Sequence, residues 1–234
     1  MKKMWMSLLI GITSIFVFTN SCKKDNNIST PVSINGIYFN PNLTYGTLKD
    51  IDSNVYRTIK IGTQTWMAEN LKVTKYRNGD TIPKVTKDSV WRYLTIGACC
   101  SYNNDNSNIA TYGRLYNHYT IVDPRNVCPV GWHVPRYTEW DTLVACLGSN
   151  PGTKLKETGN SHWYHSGGTN ESGFTALPSG CRDIEGPFNS STLLGEFISY
   201  ELVDFELLYF NGSANSYDMF GNDNVGYSVR CVKD

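Results

Sequence analysis

Residues 128–147 constrain the fold more than any other stretch of this chain, and they read Cys-Pro-Val-Gly-Trp-His-Val-Pro-Arg-Tyr-Thr-Glu-Trp-Asp-Thr-Leu-Val-Ala-Cys-Leu. The Pro-Val-Gly segment predicts a turn, and Pro135 keeps the short extended piece before it out of helical geometry. Apolar side chains then recur at the spacing of one helix face, at Trp140, Leu143, Val144 and Leu147. Gly148 stands where a left-handed residue would end that helix. We therefore expect a helix that lies against a sheet, with Trp140 in the core.

The N-terminal segment predicts export. Lys2 and Lys3 precede an apolar run over residues 4–18, which is shorter than a typical membrane span. The run ends in Thr-Asn-Ser before Cys22, which resembles the lipobox of bacterial lipoproteins with Thr19 in the place of the usual leucine. This resemblance implies that residues 1–21 are a signal peptide and that a lipid on Cys22 attaches the protein to the outer membrane or cell surface. An ordinary secretory signal is the alternative, and it also sends the chain out of the cytoplasm.

The rest of the chain divides into a linker and one domain. Residues 22–44 are polar and show little apolar periodicity, so we expect a flexible tether. A single folded domain is expected over residues 45–234. Within it, residues 55–67 alternate around a Gly-Thr turn and predict a β-hairpin, and residues 227–232 predict a closing strand. Short strands, one or two helices and a long ordered loop region over residues 149–195 indicate an α+β fold.

The charge balance bears on the class of partner. Lys and Arg together number 21, as do Asp and Glu, so the net charge is +0 at pH 7. A chain without a basic excess lacks the electrostatic attraction on which nucleic-acid binding depends. We therefore expect no nucleic-acid partner.

The cysteine count favours disulfides. The chain has 7 cysteines, and six remain if Cys22 carries a lipid. An even number in an exported protein permits disulfides, although spacing alone does not choose their connectivity. A bond from Cys128 to Cys231 is the first candidate, because it would join the start of the helical unit to the last strand across a long loop. Cys146, beside the apolar Leu147, is equally well explained as a buried thiol.

Five sequence blocks, in order, resemble the FISUMP family, the Fibrobacter succinogenes major paralogous domain. The blocks are the Asp-Ile-Asp to Glu-Asn-Leu segment at 50–71, Tyr-Gly-Arg-Leu-Tyr-Asn at 112–117, Cys-Pro-Val-Gly-Trp-His-Val-Pro at 128–135, Asn-Glu-Ser-Gly-Phe-Thr-Ala-Leu-Pro at 170–178 and Ser-Val-Arg-Cys-Val-Lys at 228–233. The resemblance covers residues 46–234. Members of the family are common in lipoproteins and secreted proteins of Bacteroidetes, and their biochemical role is largely undefined.

The Val-Pro to Glu-Trp segment and the closing Arg-Cys strand are also similar to the C-type lectin-like superfamily, in its formylglycine-generating-enzyme branch. This similarity implies a C-type lectin-like fold. Arg136 departs from the Ser or Thr cap of the family, so Thr138 could cap a later helix start. The usual Trp-Trp-Ser-Ser block is Phe-Ile-Ser-Tyr at 197–200. Cys181 is a further departure, and its thiol could pair with Cys99 or Cys100.

A lectin-like fold implies candidate calcium ligands. Sugar recognition through calcium needs oxygen ligands from a long loop and the adjoining strand. The candidates are Asn222, Asp223 and Asn224 before the closing strand, with Glu171, Asp183 and Glu185 on the loop side. Because the Glu-Pro-Asn or Gln-Pro-Asp triplet of sugar-binding lectins is absent, a structural turn is the competing explanation.

Other candidate sites are weaker. His162 and His165 could share a zinc ion only on a helical turn, and the flanking sequence favours a loop, so we expect no metal there. The adjacent Cys99 and Cys100 lack the motif of the formylglycine-generating enzyme, and no other catalytic motif is present. Exposed loop aromatics could stack on glycans, although packing explains each one as well: Trp91, Tyr93, Trp163 and Tyr164.

Together these observations predict an exported, lipid-anchored binding or adhesion module for a glycan or protein ligand, without catalytic activity. The alternative is a structural or assembly component of the outer-membrane surface. A formylglycine-generating activity is the third hypothesis.

Overall fold

The computed structural model describes residues 33–164, 167–189, 193–201, 204–208, 214–217 and 223–234, with the backbone alone considered over 204–208 and 214–217. The expected signal peptide, Cys22, His165 and Asn222 lie outside the described residues. No helix within these ranges has the length and apolar character needed to cross a membrane.

The described residues form fifteen strands, most of them short. The strands are β1 Ser33–Ile34, β2 Ile37–Tyr38, β3 Gly46–Lys49, β4 Val55–Ile61, β5 Gln64–Met67, β6 Cys99–Cys100, β7 Leu115–Tyr116, β8 Trp132–His133, β9 Cys181–Arg182, β10 Phe188–Asn189, β11 Leu194–Ile198, β12 Asp204–Leu208, β13 Ala214–Tyr217, β14 Tyr227–Ser228 and β15 Val232–Lys233.

Five α-helices accompany the strands in the same ranges. They are α1 Asp88–Trp91, α2 Ile109–Tyr112, α3 His118–Ile121, α4 Tyr137–Leu147 and α5 Pro151–Leu155, and two 3₁₀ turns lie at Tyr102–Asn104 and Asn106–Asn108. The α+β class is therefore confirmed, but one or two helices were expected. Four of the five have only four or five residues, which is too short to produce an apolar stripe in the sequence.

Two larger sheets hold the domain together. One has the strand order β3-β4-β5-β15-β8, and the other has the order β13-β12-β11-β14-β7-β6. The predicted hairpin is present as β4 and β5, with Ile61 opposite Gln64 at its turn. All pairings in the first sheet are antiparallel, whereas β11 and β14 in the second are parallel.

The closing segment joins the two sheets. A single strand was predicted over residues 227–232, and this prediction is wrong: Tyr227 pairs with Tyr116 in one sheet, and Val232 pairs with Trp66 in the other. Residues 229–231 cross between the sheets and are fully buried. Alternating apolar residues are compatible with either arrangement, so the sequence pattern did not reveal the crossing.

Helix α4 forms where the sequence predicted it. Trp140 is 1% exposed and packs on Trp66, with ring centroids 4.6 Å apart. Gly148 ends the helix at φ 65°, a left-handed geometry that favours glycine.

Helix α4 begins at Tyr137, so Thr138 lies inside the helix and does not cap a later start. Two glutamates take the place of a Ser or Thr cap. Glu139 Oε2 accepts a hydrogen bond from the Arg136 backbone N–H at 2.9 Å, and Glu201 Oε2 accepts one from Tyr137 N–H at 3.1 Å. Carboxylates at this position also complement the positive end of the helix dipole.

The Cys128–Cys231 disulfide is present, with Cα atoms 6.0 Å apart and a sequence separation of 103. The expected second bond is wrong. Cys100 is a buried thiol, as is Cys99, so neither is joined to Cys181. Cys146, which had two explanations, is an exposed thiol.

The domain begins earlier than the expected tether boundary at residue 44. Strands β1 and β2 form a hairpin whose Ile37 is 1% exposed in the core. Tyr38 N–H donates to Glu157 Oε1 at 2.6 Å, and Asn40 Nδ2 donates to the Asn170 carbonyl at 2.9 Å. Residues 33–44 therefore pack on loops more than 100 positions away in the chain. A local apolar pattern cannot predict such contacts.

Candidate functional site

The best candidate for a ligand site is an open cleft at the start of α4. It has a volume of about 360 Å³ and combines aromatic, apolar and polar side chains. Its walls are formed by Ile121, Val122, Asp123, Pro124, Asn126, His133, Val134, Arg136 and Tyr200. We call this site the Tyr200 cleft.

Tyr200 is the exposed aromatic ring of this cleft, at 41% relative exposure. Its backbone is fixed on both sides, because Tyr200 N–H donates to the Pro135 carbonyl at 2.9 Å and the Tyr200 carbonyl lies 3.0 Å from His118 Nε2. The Arg136 guanidinium stacks 5.2 Å from the ring centroid. An aromatic ring that is held in place this way loses little conformational entropy when a ligand stacks on it.

Arg136 is itself positioned by a carboxylate. Its Nη1 donates to Glu201 Oε1 at 3.0 Å, while the other oxygen of Glu201 caps α4 through Tyr137 N–H. Glu201 thus ties the loop after β11 to the start of α4. The guanidinium keeps further N–H donors that can face a ligand.

His133 brings a titratable group to the cleft. Its Nδ1 lies 2.7 Å from Asp234 Oδ1, and its Nε2 lies 3.0 Å from Glu139 Oε2. Partial burial acts to lower the pKa of His133, but the hydrogen bonds to Asp234 and Glu139 outweigh it and raise that pKa above the ordinary value of 6.5. The ring therefore carries positive charge over a wider pH range than a free histidine.

Asp123 supplies the negative side of the cleft. Arg125 donates to both of its oxygens, at 2.9 and 2.7 Å, and these bonds lower the pKa of Asp123. The cleft therefore presents charges of both signs around the Tyr200 ring, together with the Asn126 side chain, which accepts from Cys128 N–H.

The structure does not bring the calcium candidates together. Asp223 pairs with His118 at 2.8 Å, Asn224 Nδ2 donates to the Arg92 carbonyl at 3.0 Å, and Asp183 accepts from Asn189 Nδ2 at 2.9 Å. Glu171 is exposed, and Glu185 forms an ion pair with Arg92. Within the described ranges, no cluster of three or more His, Cys, Asp or Glu side chains could hold a metal ion. Asp223, Asn224 and Asp183 are thus each bonded to another group of the protein.

His162 and the loop aromatics have structural contacts. His162 Nδ1 lies 2.6 Å from Glu157 Oε2, a carboxylate that is 1% exposed. Trp91 and Trp163 are core residues at 0% and 2% exposure, so neither lies on a binding surface. Tyr93 and Tyr164 are exposed at 73% and 64%, and neither lines the Tyr200 cleft.

The adjacent cysteines are poorly suited to nucleophilic chemistry. Burial raises the pKa of Cys99 to about 11 and the pKa of Cys100 to about 12. A reactive cysteine needs a substantial thiolate fraction near neutral pH, so these values count against a formylglycine-type oxidation at this pair.

Two residues of the cleft were visible in the sequence but were not assigned to a site. Tyr200 ends the Phe-Ile-Ser-Tyr block, which was treated as a departure from the family pattern. His133 lies on β8 at the edge of the five-stranded sheet, between the apolar Trp132 and Val134. Their proximity depends on segments near 121–126, 133–136 and 200, which no local pattern connects.

The fold and the cleft define a class of protein: an α+β domain whose two sheets share the C-terminal segment, closed by the Cys128–Cys231 disulfide and carrying an open aromatic and polar cleft. The chain belongs to the Fibrobacter succinogenes major domain family, whose model matches residues 59–233. No curated protein and no solved structure matches it significantly. The family assignment from the sequence is thus confirmed, while the C-type lectin-like fold remains a prediction.

Proposed function

We propose that this protein is an exported, lipid-anchored and non-catalytic binding module that holds a glycan in the Tyr200 cleft. The observation that carries the proposal is the fixed and exposed Tyr200 ring beside polar groups of both charges. Sugars have an apolar face and a rim of hydroxyls, which suit an aromatic ring bordered by donors and acceptors. The cleft volume of about 360 Å³ lies at the small end of the usual range of roughly 300–1,000 Å³ for ligand pockets.

Export and anchoring rest on the sequence of residues 1–22. A test is to fractionate cells that express the full-length protein or its Cys22→Ala variant. The anchor predicts that the first is found with membranes and carries a lipid mass on Cys22, and that the variant does not. An unmodified Cys22 in the membrane fraction would overturn the anchor without touching the binding proposal.

Binding is tested by applying the purified full-length protein to a glycan array and measuring the affinity of any sugar retained. Tyr200→Ala should weaken binding at least about tenfold, which corresponds to the loss of one stacked aromatic contact of about 1.4 kcal/mol. The matched control is Tyr93→Ala, which removes an exposed tyrosine outside the cleft and should leave the affinity unchanged.

A chelator separates this proposal from calcium-dependent recognition. Because the calcium candidates already bond to protein groups, binding should persist in EDTA. Retention of no sugar by the wild-type protein, or equal losses for the two tyrosine variants, would contradict a glycan site in the Tyr200 cleft and would favour a structural role in the envelope.

A further inference from the structure

The outer edge of strand β3 is open. In the part of the chain that the structure describes, β3 pairs with β4 alone and ends the five-stranded sheet. Asp50 N–H donates to the Asn54 carbonyl at 3.0 Å, so these two residues form a hydrogen-bonded pair. Because hydrogen-bonded pairs recur at every second residue of an antiparallel ladder, the next such pair is Leu48 with Tyr56. Thr47 and Lys49 occupy the alternate positions. Their backbone N–H and C=O groups therefore point away from β4.

The neighbouring strand gives independent support for this orientation. Arg57 lies opposite Thr47, and its backbone faces the other way: its carbonyl accepts from Ala68 N–H at 2.8 Å, and its N–H donates to Glu69 Oε1 at 2.8 Å. Thr47 and Lys49 thus offer outward donors and acceptors at alternate positions of an edge strand, which is the arrangement that an added strand can pair with.

A partly apolar groove of about 300 Å³ adjoins the end of this edge. Cys128, Val73 and Val127 are buried beside it, whereas Ile51 and Val130 on its rim are 46% and 79% exposed. Its buried apolar wall can receive an apolar side chain of a bound segment. We call it the Lys49 groove, after the strand residue that also lines it.

The Lys49 groove has a surplus of positive charge. Lys49, Lys75 and Arg77 line it together with the carboxylate of Asp50, and Lys75 is paired with Asp52 at 3.3 Å, so the surplus comes from Lys49 and Arg77. The oxygens of Asp50 already accept from the Asn54 backbone and side chain and from the Tyr56 hydroxyl. Arg77 donates to the carbonyls of residues 128, 129 and 132, so no carboxylate offsets its charge through these contacts.

We infer that the β3 edge binds an extended acidic peptide segment of a partner protein. The segment adds as a strand beside β3, pairing with the backbone of Thr47 and Lys49. It places an apolar side chain in the Lys49 groove and a carboxylate near the Lys49 ammonium. A second copy of this chain fits less well, because it brings another Lys49 to the same edge and no added carboxylate. The inference does not depend on the Tyr200 cleft.

The probe is a fluorescein-labelled heptapeptide of alternating sequence, Thr-Asp-Val-Asp-Leu-Asp-Thr, capped at both ends, whose binding to the full-length protein is followed by fluorescence anisotropy. Lys49→Glu should weaken binding at least about tenfold, because it sets like charges against each other at the edge. The matched control is Lys60→Glu, an exposed lysine of β4 outside the groove, which should bind as the wild type does. The same peptide with lysine at each aspartate position should not bind.

A backbone readout distinguishes strand addition from simple charge attraction. Amide hydrogen exchange of the free protein should be fast at Thr47 and Lys49 and slow at Leu48. Saturation with the acidic peptide should slow exchange at Thr47 and Lys49 and leave Leu48 as it was. This measurement needs no variant, so it is independent of any effect of a substitution on folding.

Either of two results overturns the inference. One is equal weakening by Lys49→Glu and Lys60→Glu, which would indicate nonspecific attraction. The other is a wild-type protein that does not bind the acidic peptide or that binds it without protection of the Thr47 and Lys49 amides. Neither result would bear on glycan binding, which Tyr200→Ala tests separately.

Discussion

Two buried arginines organise two regions of this molecule in different ways. Arg230, at 1% exposure, lies in the seam where the chain crosses between the two sheets. Arg182, at 0% exposure, lies under the outer segment around residues 85–92. Each guanidinium stacks on aromatic rings, with Phe174 4.4 Å from Arg230 and Trp91 4.3 Å from Arg182.

The hydrogen-bond partners of the two arginines differ. Arg230 bonds only to uncharged acceptors, namely Asn70 Oδ1 at 2.8 Å, the Thr175 carbonyl at 3.0 Å and the carbonyls of Met67 and Phe174. Burial lowers the pKa of Arg230 to about 9, so it still carries its charge at neutral pH. Arg182 also has a carboxylate partner, Asp88 at 2.8 Å, whose side chain is 56% exposed. The groups that bind Arg230 are therefore all uncharged protein groups, whereas Arg182 is bonded to a carboxylate that solvent reaches.

The largest expected effect is at Arg230. Arg230→Met should lower the free energy of unfolding by about 3–5 kcal/mol, because it leaves the buried carbonyls of Met67 in β5 and of Phe174 and Thr175 in a loop without this donor. Arg230→Lys should be almost as destabilising, since an ammonium group cannot make the several in-plane hydrogen bonds of a guanidinium. Urea denaturation measures both. A loss below that of the corresponding Arg182 variant would reverse the comparison.

The disulfide provides a second test of the region around Arg230, because Cys231 is the next residue in the chain. Replacing Cys128 and Cys231 together by alanine should cost about 2–5 kcal/mol, through the greater freedom of the unfolded chain across the long loop. Reduction of the wild-type protein with dithiothreitol should lower its melting temperature by about as much as the double substitution does. Cys146→Ala is the control, because that thiol is exposed and unbonded. Full stability without the disulfide would show that buried contacts alone close the seam.

A smaller loss is expected at Arg182. Arg182→Met should lower the free energy of unfolding by about 1–3 kcal/mol. The carbonyls of Val85 and Thr86 lose their hydrogen bonds to Arg182, but water can replace some of these bonds near the surface. Asp88→Asn should cost less again, since the exposed ion pair is screened. The same denaturation series measures these variants, and an Asp88→Asn loss as large as that of Arg182→Met would show that the ion pair is buried in solution.

The smallest expected effect is a pH dependence of stability that comes from His133. His133, with its raised pKa, links helix α4 to Asp234 at the end of β15. A raised folded-state pKa stabilises the protein fully below the unfolded value of 6.5 and loses this contribution as the pH rises through the folded-state value. His133→Gln should therefore be less stable than the wild type at about pH 5, and the difference should shrink towards about pH 8. Melting temperatures across this range provide the check, and a difference that grows with pH would contradict the assignment.

The sequence predicts the parts of this fold that local patterns determine. Helix α4, its glycine end and the β4–β5 hairpin depend on residues close together in the chain. The Cys128–Cys231 bond was the first candidate because it would join the start of the helical unit to the last strand across a long loop. The family assignment, which rests on ordered motifs, belongs to the same group.

The rest depends on contacts between distant residues. Ile37 is buried in the core, and the backbone of its neighbour Tyr38 bonds to Glu157, 119 positions later in the chain. The Tyr200 cleft needs three separate segments, and the calcium candidates Asp223 and Asn224 bond to protein groups on α1 and α3 and in the turn after α1. Sequence spacing cannot show that a polar side chain is already satisfied by a distant partner.

The position of β15 has a consequence for the order of folding. This strand follows every other strand of its sheet in the chain, yet it lies inside that sheet, between β5 and β8. Strand β8 therefore cannot join β3, β4 and β5 until Val232–Lys233 has been inserted between them. A chain truncated before Val232 should leave β8 detached from its sheet, however well the β4–β5 hairpin has formed.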